Sequence, residues 1–340
     1  MSERTDNNII EPARGPGKGP ERRLKPPFCA AERSLPDIEE NMNSAEILNW
    51  SLFSALGLAA ATLVTAYFKS YSIIRPPKRR TPVTVHPDQF RLAYETIDFP
   101  TSDGLTLKGW FVPAEGGGTD KTIILCHGMG VNRGDLLRDT WFLAEKGFNL
   151  FYFDFRGSGE SGGTLSSVGY LETRDFDAAY DFLKAHRPHA MERTAVFGSS
   201  MGGSVAVFAA AKYPEIKCLL AENTFLSYKR VISNWSWLRT RVPYFPLVPV
   251  TLAFVRMKLG ADPEPFSPAH NISRVKAPVL LINGDHDDIV PLRDAEELFS
   301  LCGSEKKQLW TITGASHGKC AEVGGEVYKK RVSQFFSENL

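Results

Sequence analysis

The chain has 340 residues, with 40 Lys and Arg against 39 Asp and Glu, a formal net charge of +1. That balance, without a basic stripe or base-stacking motif, sets nucleic-acid binding aside. Five cysteines (29, 126, 218, 302 and 320) with no C-x-x-C pair argue against a disulfide framework or a zinc site, and the length fits one large α/β domain plus an appendage.

Residues 1–45 are rich in Pro, Gly and both charges and poor in large apolar side chains, so they are expected to form a disordered tail. Ile47 to Phe68 then carries no charged residue. As a helix its 22 residues would reach about 33 Å, enough for a hydrocarbon core of ~30 Å. Trp50 near one end, with Tyr67 and Tyr71 near the other, suit the two membrane interfaces. A single transmembrane anchor over 46–68 is expected, followed by a linker over 69–89. Lys69, Arg75, Lys78, Arg79 and Arg80 follow the span, whereas only Arg33 lies in the twenty residues before it. By the positive-inside rule the catalytic side then faces the cytoplasm.

From about residue 90 to 340 strand and helix patterns alternate, the signature of a mostly parallel sheet with helices on both faces. Tyr94 to Phe99 and Leu105 to Val112 flank the turn Ser102-Asp103-Gly104. Thr122 to Cys126, Asn149 to Phe153, Thr194 to Phe197, Cys218 to Ala221, Val279 to Asn283 and Leu309 to Ile312 read as further strands. Helices are expected around Asp135 to Glu145, Thr173 to His186, Val205 to Lys212, Leu292 to Cys302 and from about Glu322.

Gly198-Ser199-Ser200-Met201-Gly202 ends an apolar strand and opens a small-residue helix. This is the G-x-S-x-G pattern of a nucleophile elbow, where a tight strand-to-helix turn exposes the serine hydroxyl. Ser200 is therefore the candidate nucleophile. It needs a base, and the base needs an orienting group. Of the seven histidines, His317 sits in the glycine-rich loop Gly314-Ala315-Ser316-His317-Gly318, between the last strand and last helix. It is the expected base. His127 is expected to be structural, and His86, His186, His189 and His270 solvated. The main-chain N–H of Met201, directly after the nucleophile, supplies one oxyanion donor. Asp154 and Arg156 read as a buried ion pair bracing the loop beneath the site. No metal-ligand spacing is present, so no metal or organic cofactor is called for.

His127-Gly128 after the third strand, Asp154-Phe155-Arg156-Gly157-Ser158-Gly159 after the fourth, the elbow, and the later Asp and His loops together resemble the α/β-hydrolase fold. Glu222-Asn223-Thr224-Phe225 and Pro278-Val279-Leu280-Leu281 are similar to membrane-anchored α/β-hydrolase-domain serine hydrolases. The resemblance covers roughly residues 90–338 and implies an eight-stranded, mostly parallel sheet with a small helical cap. Gly284-Asp285-His286-Asp287-Asp288-Ile289-Val290-Pro291 offers three carboxylates, and the family's loop pattern selects Asp287 in register. Asp285 and Asp288 then read as loop-capping or solvated groups, with Glu222 as an outside candidate. The resemblance also implies a second oxyanion donor at the Met129 amide.

The cap, at about 222–272, carries Trp235, Trp237, Tyr244, Phe245 and Phe254. Its apolar residues could pack on the main domain, line an acyl pocket, or both. The expected protein is a membrane-anchored serine hydrolase cleaving acyl or lipid-like carboxylic esters through an acyl-enzyme. A peptidase or amidase using the same residues, or a catalytically silent interaction scaffold, are the alternatives.

Overall fold

The computed structural model describes residues 43–75, 81–241 and 244–340. The tail expected over 1–45 therefore lies almost wholly outside the described residues. The chain divides into two units, Met1–Leu52 and Phe53–Leu340. Of the first, the described part is essentially the opening turns of helix α1 (Ser44–Ile74). Everything below concerns the second.

Helix α1 is long and apolar enough to cross a membrane, and its most apolar stretch is unburied. Only Ala66, Ser70 and Ile74 are buried, and their spacing of four residues places them on one stripe. The last turns thus pack on the rest of this unit. A sheet follows. Strands β1 (Glu95–Pro100) and β2 (Thr106–Val112) form an antiparallel pair. Next come β3 (Lys121–Cys126), helices α2 (Arg133–Thr140) and α3 (Phe142–Glu145), β4 (Asn149–Phe153), α4 (Glu172–His186) and β5 (Arg193–Ser199). Then follow α5 (Met201–Lys212), β6 (Ile216–Glu222), α6 (Tyr228–Thr240), α7 (Leu247–Leu259), α8 (Pro268–Asn271), β7 (Val279–Gly284), α9 (Leu292–Leu301), β8 (Lys307–Ile312) and α10 (Cys320–Asn339).

The eight strands form one sheet in the order β1-β2-β4-β3-β5-β6-β7-β8, antiparallel at the β1–β2 and β2–β4 pairs and parallel elsewhere. Strand period explains the two cores. Ile124, Val196, Leu219 and Leu281 point to one face, where Phe176, Val205 and Leu298 of α4, α5 and α9 cover them. Their neighbours Ile123, Ala195, Leu220 and Ile282 point to the other, under Leu136, Phe142 and Phe336 of α2, α3 and α10. Both faces being covered is why these strands read as unbroken apolar runs.

The helix expected around Asp135 to Glu145 starts earlier and is split. Asn132 caps it, its side chain accepting from the Gly134 N–H at 2.9 Å. At the far end the Thr140 hydroxyl donates back to the Leu136 carbonyl at 2.7 Å, a bond that bends helices. Helix α10 is interrupted at Gly325, whose φ of 50° leaves the helical region. A third apolar cluster joins the cap to the body. Tyr228, Val231 and Ile232 of α6 and Val248, Leu252 and Val255 of α7 pack with Ile74 of α1 and Val290.

Candidate active site

In the parallel part of the sheet the strands end in register, Cys126 beside Gly198, Ser199 beside Glu222, and Gly284 beside Ile312. The loops leaving β3, β5, β6, β7 and β8 therefore converge at one edge, where open parallel sheets place their ligands. Ser200 has φ 54° and ψ −115°, outside the basins that non-glycine residues normally occupy. The turn is held by the Ser200 N–H donating to the Glu222 carbonyl at 2.8 Å. Glycine is required on both sides. A Cβ added at Gly198 would stand 2.3 Å from the Gly202 carbonyl oxygen, and one at Gly202 would stand 2.0 Å from that of Cys126.

The His317 imidazole spans two partners, Nε2 lying 2.9 Å from Ser200 Oγ and Nδ1 lying 2.7 Å from Asp287 Oδ2. A carboxylate only accepts, so Nδ1 carries the proton and Nε2 is left to accept from the serine hydroxyl. Asp287 is fully buried on its side chain while His317 is 23% exposed. The carboxylate is held rigidly. Its Oδ1 accepts from the N–H groups of Ile289 and Val290 at 2.9 and 2.8 Å, and Asn223 Nδ2 donates to Oδ2 at 2.8 Å.

The neighbouring carboxylates do other things. Asp285 Oδ1 accepts from the Gly314 N–H at 2.6 Å, tying the acid loop to the histidine loop. Glu222 accepts from the Tyr328 hydroxyl at 2.7 Å, away from His317, and burial pushes its carboxyl up to about 7. His127 is buried, which lowers its pKa and keeps it neutral. Its Nδ1–H donates to the Gly128 carbonyl at 2.6 Å, and its Nε2 accepts from the Phe155 N–H at 3.0 Å. The ring thus fixes the loop after β3. That loop lies against Ser200, since a Cβ added at Gly128 would meet Ser200 Cβ at 3.5 Å. Met201 opens α5, so its N–H has no partner within the helix. Met129 borders the same cavity as Ser200 and His317.

Asp154 and Arg156 do not pair with each other, contrary to the sequence expectation. Asp154 pairs with Arg133, and also accepts from the Arg133 and Glu160 N–H groups at 2.8 and 2.9 Å. Arg156 turns to Asp175 at 2.7 Å and Asp103 at 2.8 Å. Each therefore finds its own counter-ion on a different element. Asn223 is the functional candidate that sequence reasoning passed over. Its φ of 46°, a conformation Asn tolerates better than most residues, was a signal available only from the backbone.

The site opens into a cavity of about 550 Å³. Its walls include Ile73 of α1, Ile232 and Trp235 of α6, Val248 of α7, and Ile289 of the acid loop. Among the described residues no group of three or more His, Cys, Asp or Glu is placed to hold a metal ion.

The family model described as serine aminopeptidase, S33, matches residues 117–259. The esterase Pf2001 of Pyrococcus furiosus is similar in structure, with a TM-score of 0.66 and 28% identity over 78% of this chain and 98% of the esterase. The chain is an α/β-hydrolase-fold protein. Among curated relatives, the bem46 protein of Schizosaccharomyces pombe is 28% identical over 306 residues, covering 87% of this chain and 96% of bem46. The uncharacterized protein YfhR of Escherichia coli K12 is 28% identical over 252 residues, 72% of this chain and 81% of YfhR. These likenesses support a hydrolase.

Proposed function

We propose that this hydrolase cleaves carboxylic esters of acyl or lipid-like substrates by serine catalysis. One observation carries the reading: a single imidazole lies within hydrogen-bond reach of both Ser200 Oγ and the buried Asp287 carboxylate. His317 Nε2 takes the Ser200 proton as Oγ attacks the ester carbonyl. The developing oxyanion is met by the main-chain N–H groups of Met201 and Met129. The tetrahedral intermediate collapses, the alcohol leaves with the proton returned by His317, and Ser200 keeps the acyl group as an ester. Water, deprotonated by the same imidazole, then attacks that ester and releases the carboxylic acid. Asp287 holds the imidazole in the required tautomer and stabilises its cation without taking the proton.

An ester is favoured by the apolar cavity walls and by the similarity to Pf2001, which is an esterase. The matching family model is one of serine aminopeptidases, which makes amide cleavage the second reading. An aminopeptidase must hold an α-ammonium group, yet no Asp or Glu borders the cavity among the described residues. Membrane anchoring through α1 with the catalytic side in the cytoplasm belongs to the same reading, on the strength of Lys69 and Arg75 after the apolar run. Protease added outside sealed cells should then spare residues beyond 80.

The deciding experiment compares wild-type and Ser200→Ala protein for labelling by a fluorophosphonate probe and for release of alcohol from acyl esters. Ser200→Ala should lose both with its fold intact. Labelling that persists at another serine overturns the assignment. Amine release from acyl-amides outpacing alcohol release from esters moves the protein to the second reading.

A further inference from the structure

The cavity beside Ser200 is greasy but not neutral. Lys69, from the last turns of the apolar helix α1, and Arg239, from cap helix α6, both border it, and no acidic side chain does among the described residues. Of the other cationic groups of the cap, Lys229 and Arg241 lie over the rings of Tyr244 and Trp237 and do not border the cavity, and three are committed elsewhere. Arg230 pairs with Asp294 at 3.0 Å and Arg256 with Asp262 at 2.9 Å, and Lys258 donates to the Tyr67 carbonyl at 3.0 Å. Lys69 and Arg239 have no carboxylate within ion-pair distance among the described residues. The Arg239 guanidinium lies 5.7 Å from the ring of Trp235, which also borders the cavity.

Two cations of different elements, half-buried Lys69 and exposed Arg239, border one apolar cavity without a carboxylate partner and leave a charge at its rim that a ligand can neutralise. The planar Arg fork suits the oxygens of a carboxylate or phosphate, and the Lys ammonium adds a second donor. A cavity of about 550 Å³ is of the size that takes a small amphiphile. We propose that the substrate is an anionic amphiphile, an acyl ester carrying a phosphate or carboxylate group, and that Lys69 and Arg239 select that group. This deepens the ester-hydrolase reading and rests on it. One of the two selecting residues belongs to the helix that is apolar enough to cross a membrane, so the segment proposed to anchor the protein also contributes to its specificity.

The test uses the full chain in a neutral detergent and three oleoyl esters: 1-oleoylglycerol, 1-oleoyl-lysophosphatidate and O-oleoyl glycolate. The readout is the ratio of kcat/KM for each anionic ester to that for the neutral one. A charge-assisted hydrogen bond sets an expected ratio of about tenfold or more for at least one anionic ester. Which ester shows it separates phosphate from carboxylate recognition. In the Lys69→Ala/Arg239→Ala protein the ratio should fall towards one. In Lys69→Arg/Arg239→Lys, which keeps both charges, it should persist, and melting curves verify that each variant is folded. A wild-type ratio near one, or a ratio that survives the double alanine change, overturns the proposal.

Should no ester turn over, the ester-hydrolase reading fails by itself. The selection is then judged by binding of fluorescent cis-parinarate against its methyl ester. Preference for the acid that disappears in the double alanine variant upholds the anionic site, and equal binding overturns it.

Discussion

Asn223 Nδ2 stands 2.8 Å from Asp287 Oδ2, the same carboxylate oxygen that receives the His317 Nδ1–H. The other end of the Asn223 amide accepts from the Cys320 thiol at 3.3 Å and from the Gly318 N–H at 3.4 Å. One amide therefore links Asp287 to the loop that carries His317. Asn223→Gly preserves the backbone at φ 46° and removes these bonds. Its kcat for an ester should fall about tenfold or more, the worth of a hydrogen bond to a charged group, with little change in KM. A rise in KM with kcat unchanged would show that Asn223 serves binding instead.

Gly202→Ala tests the closeness of the elbow. The new methyl would sit 2.0 Å from the Cys126 carbonyl oxygen and 2.6 Å from that of His127, both backbone atoms that cannot step aside cheaply. Destabilisation of at least about 1–3 kcal/mol is expected. For a chain this long it lowers Tm by several degrees, which a melting curve would register.

Glu222 makes stability depend on pH. Burial pushes its folded carboxyl up to about 7, whereas in the unfolded chain it releases its proton in the usual carboxylate range. Between those limits the folded state holds a proton that the unfolded state has lost. Its contribution is therefore complete at acid pH and declines as pH climbs to about 7. Gln at 222 can still accept from the Tyr328 hydroxyl but cannot ionise. Relative to wild type, Glu222→Gln should gain on the order of 2 kcal/mol between pH 5 and pH 8. Denaturant titrations at the two pH values measure that difference, and parallel curves would refute it.

Much of this arrangement can be read from residues alone. The strands announce themselves as apolar runs because the sheet is covered on both faces, and Ser200 and His317 sit in loops whose glycines leave few structural alternatives. What escapes is pairing between distant residues. Nothing in Asp154-Phe155-Arg156 says that the aspartate will meet Arg133 and the arginine Asp175, since those partners arrive from helices α2 and α4. Asn223 escaped for the same reason: its amide matters only once β6 and β7 lie side by side.

The Arg133–Asp154 pair is buried on both sides, at 1% and 0% side-chain exposure. Asp154→Ala would leave the buried guanidinium, which stacks 4.2 Å from the Trp110 ring, with only the exposed Glu160 carboxylate as counter-ion. A loss of about 2–4 kcal/mol is expected, below that of a fully uncompensated buried charge. Arg133→Met/Asp154→Leu, which removes both charges, should recover a substantial part of it in the same denaturation assay.

Lys258 fastens the cap to α1. Its ammonium lies 3.3 Å from the centre of the Tyr71 ring and 4.2 Å from that of Tyr67, and it donates to Ser70 Oγ. Phe254, one turn away on α7, meets Tyr67 edge-on at 5.5 Å. Lys258→Ala should speed amide hydrogen exchange in α7 and in residues 66–74 by about tenfold, equivalent to the loss of a partly desolvated cation–π contact. Unchanged protection in both segments would show the fastening to be idle.

Ile73 and Lys69 border the cavity beside Ser200, and Ile74 lies in the cluster beneath the cap. Cutting the chain after its apolar helix would therefore tear out one side of the cavity beside Ser200. A shortened protein of that kind could keep Ser200, Asp287 and His317 intact and still misjudge which molecules it accepts. Substrate surveys on this hydrolase belong with the helix attached.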